Sequence, residues 1–315
     1  MTLDPDAQQL TDALAGLLPG PLHTLGVEGA RAVLAGLSEQ SPPPPPLHSV
    51  EDHTVGGPAG PLQTRVYRPG PENDLPVLIH LHGGGWAMGT LDASEALCRS
   101  LSDKAGCVVV SVDYRLAPEH KFPAAVNDCY AAVQWVANHA DEIGADSNRI
   151  AIGGESAGAN LAAATTLLAR DSGGPPLAFQ LLAYPVTEYA VERPSWREHA
   201  SAPLLTVDDV TWFWAQYLRD QADRTDPRAT PSNASSLAGL PPAYILTAEH
   251  DPVRDDGEQY GQRLRDAGVD VTVKRYPGVF HGFLSMVGML NRTAEALDDA
   301  AAQLAHAFAT APATN

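Results

Sequence analysis

Cysteine is scarce in this chain. Its three residues, Cys98, Cys107 and Cys129, cannot all pair with one another. That excludes a disulfide scaffold and suits a reducing compartment. Basic residues are scarce as well: 20 Lys and Arg stand against 38 Asp and Glu, for a formal charge of −18. Nucleic acid and anionic membrane surfaces both select clustered Lys and Arg, so neither is an expected partner. No apolar run reaches the ~18 residues of a spanning helix. The opening Met1-Thr2-Leu3-Asp4-Pro5-Asp6 has neither the basic nor the apolar region of a secretion signal. The expectation is a cytoplasmic protein with no stable membrane insertion. The Asn-x-Ser/Thr matches at Asn233 and Asn291 then read as chance.

What the chain does have is length. With 315 residues it can bury a sizeable core. A prior of ~150 residues per domain fits two domains, or one α/β unit with an appended cap. Residues 1 to about 40 read as helical, with Leu10, Leu14, Leu17 and Leu18 on one stripe. Pro42 to Pro46 follow without interruption. Proline fixes φ and donates no amide hydrogen bond, so this is a stiff spacer from an N-terminal arm to the body. The lesser alternative is a ligand for a proline-recognising module.

Beyond residue 60, strand and helix patterns alternate. Val77 to Leu81, Cys107 to Val112, Ile150 to Ile152, Phe179 to Tyr184 and Tyr244 to Leu246 are apolar runs. Such runs imply strands buried on both faces, hence a mostly parallel sheet. Helical stretches near 123–139, 157–170 and 254–267 separate them, which predicts crossover units and a doubly wound α/β fold. In such sheets the site lies beyond the carboxyl ends of the strands. Residues 190–235 interrupt the rhythm. There Val210, Phe213, Trp214, Tyr217 and Leu218 follow helical spacing and read as a face against the body. Trp212, off that stripe, is the expected cavity-facing residue.

Chemistry gathers at the strand ends. After the Ile150 strand comes Gly154-Glu155-Ser156-Ala157-Gly158, opening a helix. A serine on so sharp a turn needs small neighbours, and the helix start offers the Ala157 amide to developing negative charge. The Val77 strand ends in His82-Gly83-Gly84-Gly85-Trp86. Side-chain-free residues there let backbone amides approach a substrate oxygen. A phosphate loop would need a Lys-Ser/Thr pair or a completed Gly-x-Gly-x-x-Gly, and neither is present. His80 and His82 have no third ligand nearby, so a structural role is favoured over metal binding. After the Tyr244 strand, Glu249, Asp251, Asp255 and Asp256 compete as the acid that orients a histidine. Asp251 is the best placed. His281 follows the Val271 strand and completes the chain order Ser, Asp, His.

These segments, together with Asp113 to Glu119, Gly239 to Pro242 and His281-Gly282-Phe283, resemble the hormone-sensitive-lipase-like esterases of the α/β-hydrolase fold. The resemblance runs from about Pro76 to Phe283. It implies Ser156 as nucleophile, His281 as general base and Asp251 as orienting acid. It also implies oxyanion amides at Gly84, Gly85 and Ala157, and a helical cap built from the N-terminal arm and the 190–235 insertion. The domain expectation is an arm and linker over 1–50 and a catalytic domain over 51–315. Trp86, Leu205 and Trp212 are the expected walls of an acyl pocket. The expected activity is hydrolysis of carboxylic esters of short to medium acyl chain, with no metal and no organic cofactor. A small-molecule ester is the expected partner, and the resemblance leaves room for a homodimer. The alternatives are a non-catalytic small-molecule receptor on the same fold, or an amidase or peptidase using the same triad. Glu155, where relatives often carry Asp or Thr, leaves the subgroup open.

Overall fold

The computed structural model describes residues 2–16, 20–39 and 42–311. Two helices, α1 (Pro5–Ala15) and α2 (Leu22–Glu39), precede the sheet. The strands are β1 (Ser49–Gly57), β2 (Gly60–Arg68), β3 (Leu75–Leu81), β4 (Val108–Val112), β5 (Ala145–Glu155), β6 (Phe179–Ala183), β7 (Ala243–His250) and β8 (Val271–Phe280). Between and after them lie α3 (Glu95–Ala105), α4 (Ala124–His139), α5 (Ala157–Asp171), α6 (Pro194–Glu198), α7 (Val207–Tyr217), α8 (Arg254–Asp266) and α9 (Asn291–Thr310).

One sheet of eight strands runs in the order β1-β2-β4-β3-β5-β6-β7-β8. β2 is antiparallel to both its neighbours, and all pairs from β4 to β8 are parallel. This is the mostly parallel, doubly wound α/β fold expected from the alternating pattern. Successive side chains point to opposite faces of a strand, and the sequence fills both faces. Val77, Ile79 and Leu81, with Val108, Val110 and Val112, join the layer under α4, α5 and α8. Leu78, Val109 and Ala151 join the layer under α3 and α9. Every residue of β4 is buried. The order reverses around β3: the chain steps from β3 to β4 on one side, then returns past β3 to β5. A crevice at such a switch point is where doubly wound sheets bind ligands.

The described part of the N-terminal region is helical, as expected, but it is divided into two helices. Gly20-Pro21 separates α1 from α2, because the residue before a proline avoids helical backbone. A second break inside α2 falls at Gly26, with φ 68°. Leu10 and Leu14 lie on α1, and Leu14 is buried; Leu17 and Leu18 lie outside the described residues. The first turn is anchored near β8. The Asp4 amide donates to the Gly278 carbonyl at 2.8 Å, and Arg292 donates to the Asp4 carboxylate at 3.0 Å. α2 is anchored to the body by Arg31. Its guanidinium meets Glu119 in two 2.8 Å bonds and also reaches the carbonyls of Ala87 and Ala117.

The 190–235 segment falls between β6 and β7 and carries α6 and α7. A capping box between Thr206 and Asp209 starts α7. The buried Asp209 carboxylate also accepts the His23 amide at 2.8 Å and lies 2.8 Å from His23 Nδ1. The start of α2 is thereby joined to the start of α7. Among the described residues no helix is long and apolar enough to cross a membrane. The three cysteines are free and buried.

Candidate active site

β5 runs into Ser156, whose backbone sits at φ 56° and ψ −116°, and α5 begins at the next residue. The Ser156 amide donates to the Ala183 carbonyl of β6 at 2.9 Å. The flanking glycines have a steric cause. A methyl group on Gly154 would lie 2.3 Å from the Leu81 carbonyl oxygen, and one on Gly158 only 2.0 Å from it. The first turn of α5 is seated directly on the end of β3, and any larger residue would lift it off.

His281 follows β8 and Asp251 follows β7. The Ser156 hydroxyl lies 2.8 Å from His281 Nε2, and His281 Nδ1 lies 2.7 Å from Asp251 Oδ2. Only a protonated Nδ1 can donate to the carboxylate, which leaves Nε2 to accept from the serine. Asp251 is fully buried, and its other oxygen accepts the Val253 amide at 2.9 Å. The competing acids are engaged elsewhere. Glu249 accepts the Gly278 amide, Asp255 accepts from Ser195 and Arg254, and Asp256 faces Arg193. Burial pushes the Asp256 carboxyl well above the usual carboxylate range. The serine, histidine and acid expected from strand-end logic thus meet at one rim of the sheet.

The glycine loop after β3 borders the same point. A methyl group on Gly83 would lie 3.8 Å from Ser156 Cβ, so loop and serine are neighbours. Gly84 adopts φ 117° and Gly85 φ 59°, conformations that favour glycine. At Gly85 a methyl group would strike the Phe213 ring at 2.2 Å. Among the described residues no protein acceptor takes the amides of Gly84, Gly85 or Ala157. His82 stiffens the loop. Its Nδ1 donates to the Gly83 carbonyl at 2.8 Å, and its ring stacks on Tyr114 at 4.2 Å. Burial drives His82 down to about 4 and His80 to about 3, so both are neutral near pH 7. Among the described residues no group of three His, Cys, Asp or Glu side chains forms a metal site.

A cavity of about 470 Å³ opens over the serine. Ser156, Ala157, His281, Gly84 and Gly85 line it, as do Trp86 and Leu205 among the expected walls. Trp212 does not line it. That expectation is corrected: Trp212 packs beside Phe213 at 4.9 Å, while Val210 and Phe213 of the apolar stripe face the cavity. The reason is physical. An apolar cavity and an apolar core select the same residue types, so helical periodicity cannot tell them apart. Leu22, Val33, Leu34 and Leu37 of α2 supply further wall.

Two residues at the site were not singled out as functional by the sequence. Tyr184, at the end of β6, lies 4.7 Å from the His281 ring, centroid to centroid; its place beyond a strand end was the available signal. Glu155 is buried, and the hydroxyls of Ser285 and Tyr184 both donate to its carboxylate. Burial raises the Glu155 carboxyl above its ordinary value, opposed by those hydrogen bonds.

A parallel sheet that carries a strained serine between strand and helix is the architecture of the α/β hydrolases. Residues 78–285 match the family described as alpha/beta hydrolase fold. Esterase LipI of Mycobacterium tuberculosis is 44% identical over 276 residues, covering 86% of this chain and 85% of that protein. Carboxylesterase NlhH of the same organism is 42% identical over 314 residues, covering 97% and 96%. The solved structure of a hyperthermophilic esterase from the archaeon Pyrobaculum calidifontis superposes with TM-score 0.91 at 40% identity, over 97% of this chain and 99% of that one. This chain belongs to the hormone-sensitive-lipase-like carboxylesterases of the alpha/beta hydrolase family.

Proposed function

We propose that this carboxylesterase hydrolyses esters of short to medium acyl chain by two-step acyl transfer, with Ser156 as nucleophile. The observation that carries the reading is the unbroken chain of short contacts from Asp251 to His281 to Ser156, at 2.7 and 2.8 Å. Ser156 attacks the ester carbonyl while His281 Nε2 takes its proton. Asp251 holds the imidazole in the needed tautomer and stabilises the imidazolium. The amides of Gly84, Gly85 and Ala157 receive the oxyanion; one such donor typically contributes ~3–4 kcal/mol to lowering the barrier. His281 then protonates the departing alcohol. A water molecule, deprotonated by the same nitrogen, releases the acid and restores Ser156.

The acyl-length reading is supported by a bounded cavity of about 470 Å³ with a largely apolar lining. The N-terminal arm and the 190–235 insertion act together as its cap, since α2 and α7 both contribute wall and are joined through His23 and Asp209. The test is Ser156→Ala, assayed on p-nitrophenyl butyrate. Turnover should fall on the order of 10⁴-fold or more. Near-full activity in a clean preparation of the variant would overturn the assignment. A matched amide substrate separates esterase from amidase action, and labelling of Ser156 by an organophosphonate separates an enzyme from a receptor.

A further inference from the structure

Asn160 lies within the first turns of α5 and is fully buried. Its neighbours on the helix, Ala157 to Ala162, are otherwise Ala, Gly and Leu. A lone polar side chain in such surroundings must find partners, because burying an amide without them is costly. Its partners come from three separate parts of the site. Nδ2 donates to the Val186 carbonyl at 2.7 Å and to the Ala229 carbonyl at 2.8 Å. Oδ1 accepts from Trp86 Nε1 at 3.3 Å. Only the nitrogen end can donate to two carbonyls, so the chemistry itself fixes the amide orientation.

Those partners matter by where they sit. Val186 is where the chain leaves β6 for the insertion, and Ala229 is where it comes back toward β7. Trp86 follows the glycine loop directly and has a left-handed backbone, φ 59°. Its ring stacks on Tyr217 at 4.5 Å, nearly parallel, and lies 4.5 Å from Trp214, both on α7. One side chain, four residues past the serine, therefore holds the oxyanion loop and both roots of the insertion.

We propose that Asn160 is a positioning residue that keeps the oxyanion amides and the cap in register with Ser156. The proposal rests on Ser156 as nucleophile and goes beyond it. Oxyanion donors act on charge that exists only in the transition state, so their misplacement lowers kcat and leaves ground-state binding largely intact. A residue that only held the fold together would lower thermal stability without changing kcat per folded site.

The experiment counts working sites with an organophosphonate and measures kcat and KM for p-nitrophenyl butyrate per labelled site. In Asn160→Asp, whatever its protonation state, an acid replaces at most one of the two donated bonds. Its kcat should fall about tenfold or more with KM changed less than about threefold. Trp86→Phe removes the Nε1 donor together with the fused five-membered ring and keeps a six-membered aromatic ring against Tyr217; its kcat should fall at least about threefold. Where Asn160→Asp does not fold, Trp86→Phe decides: a fall of that size supports the proposal, and a smaller one overturns it. A folded Asn160→Asp with kcat near that of the parent overturns it too, even if its Tm drops. A parent enzyme not labelled at Ser156 would sink the nucleophile reading and this proposal with it. A labelled parent with unchanged variants sinks this proposal alone.

Discussion

Gly158→Ala is the smallest change that should disable this enzyme without touching a reacting atom. The added methyl group would sit 2.0 Å from the Leu81 carbonyl oxygen and 2.5 Å from that of His82. Both oxygens belong to the backbone at the end of β3, which is held between β4 and β5 and cannot swing aside. The start of α5 must withdraw by roughly 1 Å, a misplacement that can cost catalysis about 10²-fold. Overpacking also destabilises, by about 1–3 kcal/mol, or a Tm drop of roughly 1.5–4.5 °C for a chain of this size. The assay is p-nitrophenyl butyrate hydrolysis per phosphonate-titrated site, alongside a thermal melt. Gly56→Ala is the control: it lies on β1, and a methyl group there meets nothing within 4 Å. It should leave both readings unchanged. A Gly158→Ala enzyme with kcat within about threefold of the parent and an unaltered Tm would refute the steric argument.

The remaining predictions concern the cavity wall and the pH response. Phe213→Ala should enlarge the cavity and move the preferred acyl chain to longer p-nitrophenyl esters, whereas Trp212→Ala should leave the profile where it was. A profile that moves with Trp212 and not with Phe213 would contradict the assignment of the wall. Acid should destabilise the fold through the buried histidines. His80 and His82 titrate at about 3 and about 4 when folded, against 6.5 ordinarily, because burial penalises their charged forms. Between those values the unfolded chain binds protons that the folded chain does not, so their contribution is lost as pH falls from 6.5. The loss reaches ~1.4 kcal/mol per pH unit for each histidine. Melts from pH 7 to 4.5 should show a shallower loss in His80→Gln than in the parent. Equal slopes would show that His80 plays no part.

The parts of the site legible in the sequence were those where local backbone geometry restricts the residue type. Gly154 and Gly158 are required by the approach of α5 to β3. Gly84 and Gly85 are required by positive φ, and Asp251 and His281 announced themselves by following strands. The cavity wall was not legible, because Phe213 facing an apolar pocket and Phe213 facing a core obey the same periodicity. Asn160 was missed for a related reason. A single polar residue in a small-residue helix start carries no pattern, and only the three-dimensional arrangement shows what it touches. The β1 strand begins ahead of residue 60, where the sequence gives no apolar run, since it lies at the sheet edge with much of its length exposed.

The bond between Asp4 and Gly278 has a practical consequence. Gly278 stands three positions ahead of His281, and its amide is in turn held by Glu249. Asp4 is therefore a buttress for the imidazole's own loop. An affinity handle fused close ahead of Asp4, or removal of Asp4, would act on the loop that carries His281 from outside the pocket. Kinetic constants from such preparations would describe a different catalyst from the unaltered chain.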